Sequence, residues 1–400
     1  MTSPSEFGAG DEWKRRLLVT PTREARPLLA NALIALREAP AWKGVVAYDE
    51  FALVTMSMEA PPWAMHNHNS WSPRIWTDHD DTLVTEWLQQ HGIRVNPPTA
   101  AKAIEAVAKE RAFHPIRNYL AGLKWDGTNR VESFAHQYLG AEDTAYHRAV
   151  SRCTLVSAVA RVFEPGCKAD HATILEGEQG ALKSTAIEAI FSPWFSDDLA
   201  ELGTKDAAMQ TRVAWGIEIA ELASMQRSEV EKIKAFITRK VDIFRPPYGA
   251  RVLQVPRQSI FIGSTNAGAY IKDETGGRRF WPIACGAINI AAIKSHKDQL
   301  WAEAAHLYHK GTRWWLEGKD DIRAAKEQQE ERRVTDEWEN LVAAFVTGRE
   351  DVTIGEILSE VFFIEKAKWT QPDQNRVARC LVALGWKRGW RHAERCYRPG

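Results

Sequence analysis

The 400 residues contain no apolar stretch of the roughly 18 residues a membrane-spanning helix requires, and no apolar run near the start that could serve as a secretory signal. Cysteine is scarce. Cys153, Cys167, Cys285, Cys380 and Cys396 are far apart, odd in number and without CxxC spacing, which argues against a disulfide frame or a zinc site and for reduced thiols in a cytoplasmic protein. Excess charge of either sign is missing too, with 52 Lys and Arg against 52 Asp and Glu, so any nucleic-acid site must be a local patch. Low-complexity tracts and internal repeats are absent, which excludes solenoids and leaves only Met1 to Asp11 as expected disorder.

With 44% hydrophobic residues, the chain is expected to be globular, and its length exceeds what one core usually supports. The N-terminal stretch reads as a loop and amphipathic helix over Trp13 to Ala39, strands within Val45 to Met58, and helices over Thr82 to Gln90 and Pro98 to Arg111. His66, His68, Asp78, His79, Asp80 and Asp81 read as solvated turns rather than a metal site. A further helix is expected around Tyr146 to Phe163. From Ala172 the texture changes to short apolar runs alternating with helical segments, the pattern of a parallel sheet covered by helices.

Ala172 to Thr185 reads as strand, turn and helix start. In that context Gly177, Glu178, Gln179, Gly180, Ala181, Leu182, Lys183, Ser184 and Thr185 form a loop whose backbone N–H groups can surround phosphates. Lys183 can neutralise the β and γ charges of ATP, and the Ser184 hydroxyl can ligate Mg²⁺. Leu182 stands where this pattern has glycine; if the position needs a positive φ, a side chain there costs of order 1 kcal/mol, unless Gly180 carries the turn.

Val213 to Glu221 is an apolar run ending in acid. Glu221 is assigned to polarising the attacking water and Glu218 to Mg²⁺, with the reverse assignment open. The strand Ser259 to Gly263 ends in Ser264, Thr265 and Asn266, where a polar side chain, Asn266 foremost, can bond the γ-phosphate or the water. Arg278 and Arg279 follow in a Gly-rich turn, and two adjacent guanidinium groups there fit a device that reaches a neighbouring subunit's phosphate.

The motifs LEGEQGALKST, WFSDDL, EIAEL, FRPPYG, GSTN and DETGGRRFWP, with Trp301 to Ala304, lie in fixed order between Phe113 and Leu316. In these the chain resembles the virulence-associated protein E family, which is related to phage and poxvirus primase-helicases and to superfamily 3 helicases of the AAA+ class. The resemblance implies an ATPase that assembles as a ring, often a hexamer, around DNA, with a primase supplied separately or by a preceding domain. It also implies that Arg245, Tyr248 and Arg251, in the basic stretch Lys232 to Arg257, sit on a hairpin facing the ring channel, where basic and aromatic groups can touch phosphates and bases.

Beyond a charged helix expected over Asp320 to Trp338, the C-terminal stretch reads as a winged helix: one helix opening near Val352, a second over Asp373 to Leu384, and a wing over Lys387 to Arg398. Its Arg376, Arg379, Lys387, Arg388 and Arg391 make a basic patch suited to DNA phosphates. The expected architecture is α/β: a mostly helical α+β region over 1–112, a helical collar over 113–165, a P-loop AAA+-like ATPase core over 166–330 and a winged helix over 340–400. The expected function is an ATP-dependent DNA helicase or replication ATPase of a phage or mobile genetic element. The rivals are an ATP-regulated DNA-binding initiator without unwinding and a P-loop kinase, the latter leaving the arginine pair and basic tail unexplained.

Overall fold

The alternation after Ala172 resolves into a five-stranded sheet whose strands all run parallel. The structure, a computed structural model, describes residues 10–198, 200, 204–222, 224–225, 227–245, 251–271, 277–334, 336–391 and 394–400, except the side chains of 66–69, 205, 227 and 394. Two compact units are present, residues 1–124 with 209–213, and residues 125–208 with 214–400.

The first unit holds α1 (Leu29–Glu38), β1 (Val46–Asp49), β2 (Val54–Ser57), β3 (Arg74–Ile75), α2 (Asp78–Gln90), α3 (Pro97–Lys109), β4 (Ala112–Phe113) and α4 (Pro115–Gly122). Helix dominates, and the strands form one sheet in the order β3-β2-β1-β4. Asp78 to Asp81, expected as solvated turns, open α2 instead: Asp80, buried, closes a reciprocal cap with Thr77 and binds Arg74 at 2.6 Å, while Asp81 accepts from the Trp76 indole at 2.8 Å. No group of three metal-ligating side chains occurs among the described residues, and the side chains of His66 and His68 lie outside them.

The second unit begins with α5 (Ala145–Phe163), β5 (Ala172–Glu176), α6 (Lys183–Phe191), β6 (Phe195–Ser196), α7 (Lys205–Gln210, its last two residues in the first unit), β7 (Gly216–Ile219), α8 (Arg227–Ile237), β8 (Val241–Phe244), β9 (Leu253–Pro256), β10 (Ile260–Thr265), β11 (Phe280–Ala284) and α9 (Ile290–His309). The sheet order is β11-β5-β10-β7-β6, so the chain leaves β5 for the far edge and returns to both of its neighbours later. A ligand crevice is expected at the carboxyl ends of strands where the order switches in this way. Strands β5, β7 and β10 are buried on both faces, which their near-continuous apolar runs require. Gly216 is needed where it is, because a Cβ there would lie 2.2 Å from the Phe191 ring.

At the amino end of β5, the buried His171 ring stacks on Trp281 at 3.7 Å. Burial pushes its imidazole down from 6.5 to about 3. The unfolded chain therefore takes up a proton below its ordinary value that the folded chain refuses until far lower pH, and stability falls as pH drops through that window, by up to about 1.4 kcal/mol per pH unit from this group. His171→Phe, which keeps the stack, is expected to flatten the urea midpoint profile between about pH 6 and 4 relative to the unsubstituted protein. Equal slopes would exclude this histidine from the acid sensitivity.

The charged helix expected over Asp320 to Trp338 is two helices, α10 (Lys319–Glu331) and α11 (Glu337–Val346). Arg332 and Arg333 end the first by turning to Glu176 and Glu339, and Asp336 caps the second through the Trp338 N–H. The remaining elements are α12 (Ile354–Glu360), α13 (Gln371–Ala383) and the hairpin β12 (Trp386–Arg391) with β13 (Glu394–Pro399), close to the boundaries expected from the sequence. They enclose a small core of Val342, Ile357, Leu358, Val377 and Leu381. All five cysteines are free. No described helix is long and apolar enough to cross a membrane.

Candidate functional site

The loop after β5 is shaped by two left-handed residues. Gly180 has φ +84° and Leu182 has φ +61° with ψ 24°, so the position where glycine is customary does require a positive φ, and leucine adopts it. The Leu182 side chain is 50% exposed and gains little packing in return. Leu182→Gly should leave stability nearly unchanged, because relief of about 1 kcal/mol of backbone strain is offset by a more flexible unfolded chain. Leu182→Val, stiffer at χ1 and poorer in this region, should lower stability by about 1 kcal/mol. Thermal melts of both variants test this, and equal losses would mean that φ is not what limits the site.

Lys183 opens α6 and turns back into the loop. Its Nζ donates to the carbonyls of Gly177 at 2.9 Å and Glu178 at 2.8 Å and to Asn266 Oδ1 at 2.9 Å. Although only 7% exposed, the ammonium is thus held by neutral acceptors. Next to it, Ser184 Oγ donates to Glu218 Oε1 at 2.7 Å, and Ser264 Oγ at the end of β10 donates to the same oxygen at 2.5 Å. Glu218 is 1% exposed, and its Oε2 is buried with no hydrogen-bond partner among the described residues. A carboxylate oxygen left in that state is costly unless something cationic meets it. Glu221 stands past the end of β7, exposed, with φ +55°.

Lys183, Ser184, Glu218, Ser264 and Asn266 thus converge at the carboxyl ends of three adjacent strands. Exposed Glu178, Gln179 and Gly180 form the loop rim, with Ala181 and Thr185 half-buried. One group here was not singled out in the sequence, the pair of Glu176, the last residue of β5, with Arg332 at 2.8 Å, both side chains nearly buried. Cys285 lies against the same loop, and burial pushes its thiol up to about 12, so it stays protonated.

Arg278 and Arg279 are elsewhere. They precede β11, whose Phe280 pairs with Ala172 at the amino end of β5. At about 3.3 Å per residue, Arg279 lies roughly 20 Å along the strands from Gly177, beyond the reach of an arginine side chain. The pair lines a cleft of about 500 Å³ with Trp281, Trp315 and Lys326, and Arg279 Nε is buried without a partner among the described residues.

The expected nucleic-acid contacts divide. Arg245 and Arg251 are exposed on the hairpin β8–β9, while Tyr248 lies outside the described residues. Lys234 and Arg257, from the same basic stretch, are buried, and Arg257 binds Asp242 at 2.5 Å at the hairpin's base. In the C-terminal module, Arg376 is occupied by Asp336 at 2.8 Å and lies over the Trp338 ring, and Arg391 is held by Asp351 at 2.9 Å and Glu356 at 2.5 Å. Although burial works the other way, Arg376 keeps the Asp336 carboxyl below its ordinary range. Lys387 and Arg388 are exposed on β12, and Arg379 is half-buried on α13.

A family model described as the virulence-associated protein E-like domain matches residues 120–334. No curated protein matches. Among solved structures, one of the C-terminal region of NrS-1, residues 305–718, is 12% identical, covering 92% of this chain and 99% of that one with a TM-score of 0.48. A second form of that region is 13% identical over 91% and 98% of the two chains, also with a TM-score of 0.48.

Proposed function

The chain belongs to the virulence-associated protein E-like domain family, and from that premise we propose that it is a replication ATPase of a phage or mobile genetic element, hydrolysing ATP in a ring on DNA. One observation carries the reading. Lys183 and Ser184 open a helix directly after a buried parallel strand, and Ser184 shares the buried Glu218 with a hydroxyl from the adjacent strand. That set fits a triphosphate and a hard divalent cation: backbone N–H groups and the Lys183 ammonium for the phosphates, Ser184 Oγ and the unpartnered Glu218 Oε2 for Mg²⁺. When bound, Mg²⁺ neutralises charge on the phosphate oxygens. Glu221, exposed beyond the strand, orients the attacking water, and Asn266, already on Lys183, stands beside the phosphates.

The C-terminal helices and hairpin fit a winged helix, with Lys387, Arg388 and Arg379 as its DNA-facing cations and Arg376 and Arg391 bracing the module. An ATPase assay with and without single-stranded DNA, read beside sizing in ATP, tests the whole reading. Turnover stimulated by DNA in a ring-sized species supports it. Turnover indifferent to DNA would return the protein to the kinase class, and assembly on DNA without strand separation would make it an ATP-regulated initiator.

A further inference from the structure

The N-terminal unit has a cationic cleft that the phosphate-loop reading does not use. Its walls come from three separate segments: the short helix Glu12–Arg16, the turn over 19–25, and the loop that follows α2. Lys14, Arg15, Arg23 and Arg94 line a volume of about 690 Å³, and Glu24 is the single acid among its described lining residues. Lys14 is paired with Asp11 at 2.8 Å. Arg23 and Arg94 are exposed and have no ion-pair partner among the described residues.

Each segment is anchored by a buried group, so the cations stand on fixed backbone. Trp13, 4% exposed, stacks on Trp87 at 6.2 Å and holds the short helix. Asn31, fully buried, accepts from the Leu18 N–H at 2.8 Å and donates to the carbonyls of Leu18 and Arg26, fixing the base of the turn. Ile93 and Val95 are buried on either side of Arg94. At the tip of the turn Arg23 adopts φ +64°, a left-handed conformation that costs an L-residue of order 1 kcal/mol and here brings no burial in return. Gathering these like charges on a chain with no net charge works against folding, unless an anion completes the site.

We propose that this cleft binds the backbone phosphates of a nucleic-acid strand, as a contact separate from the hairpin β8–β9 and the C-terminal module. Guanidinium forks match phosphate geometry. The half-buried Leu17 and Ala25, with the His91 ring stacked on Trp87 at 4.0 Å, offer an apolar wall for sugars and bases. The surface is concave, which suits a strand rather than a flat bilayer. The proposal rests on the DNA half of the reading above.

The test is fluorescence anisotropy of labelled single-stranded and duplex oligonucleotides with the full chain, over a series of salt concentrations. Arg23→Glu with Arg94→Glu should weaken binding about tenfold or more and reduce the slope of log affinity against log salt by about 1.4 for a single strand or 1.8 for a duplex. The melting temperature and DNA-free ATPase rate should be unchanged. Should charge reversal lower the melting temperature, Arg23→Gln with Arg94→Gln reads the same slope. Lys387→Glu with Arg388→Glu, run in parallel, should weaken binding while leaving the contribution of the N-terminal arginines in place. Affinity and slope unchanged in both Arg23 and Arg94 variants would overturn the cleft alone. An unsubstituted protein that binds neither oligonucleotide would overturn the DNA reading with it, and phosphatidylserine vesicles held by the same arginines in place of oligonucleotides would make the cleft a lipid site.

Discussion

Lys183→Ala is expected to bring ATP turnover down by on the order of 10³-fold, to background in an ordinary assay. The ammonium is placed before any nucleotide arrives, held by two loop carbonyls and Asn266, so no side-chain entropy remains to be lost when phosphates replace those acceptors. The neighbouring Arg332 cannot substitute, because Glu176 holds it. The fold should survive, since the sheet core of Ile174, Ile217 and Phe261 is untouched, and a thermal melt checks that. Turnover near the unsubstituted rate would show that this loop is not the nucleotide site. The two acids then divide the work. Glu221→Gln should leave ATP bound but barely hydrolysed if, as proposed, its exposed carboxylate orients the water. Glu218→Gln should weaken Mg²⁺-dependent binding, because the buried oxygen without a partner becomes an amide. If Glu218→Gln instead gives tight, unproductive binding and Glu221→Gln does not, the two roles are exchanged.

Local patterns carried the elements of this site, and long-range pairing escaped them. Strand β5, the loop and α6 were readable because an apolar run, a glycine-containing turn and a helical continuation follow one another within 20 residues. The burial of Glu218 was not, since alternation leaves an acid in a strand free to face solvent, whereas a central parallel strand has no solvent face. Arg332 was hidden in a charged helix end, and its partner Glu176 lies 156 residues away. The C-terminal basic patch shows the same limit from the other side. Asp336, Asp351 and Glu356 lie before the patch in the chain, yet they fold onto it and occupy Arg376 and Arg391.

Loss of Arg278 or Arg279 is expected to remove roughly 10³-fold or more from turnover while changing ATP affinity far less, if the arginine stabilises transition-state charge in a neighbouring subunit. Their position at the amino ends of β5 and β11 takes them out of reach of their own loop, so action within one subunit is disfavoured before any experiment. Subunits carrying Arg279→Ala should be inactive alone, as should subunits carrying Lys183→Ala. Mixed, they should recover some hydrolysis, because an interface can then join an intact loop from one chain to an intact arginine from the other. No such recovery follows if each chain must supply both groups, since neither variant then holds a complete site. The measurement is ATPase rate against mixing ratio at fixed total protein, under conditions where subunits exchange, repeated with Arg278→Ala to tell the two arginines apart. A maximum at intermediate ratios establishes action across the interface, and a flat, inactive line despite proven mixed assembly would sink it and weaken the ring reading as well.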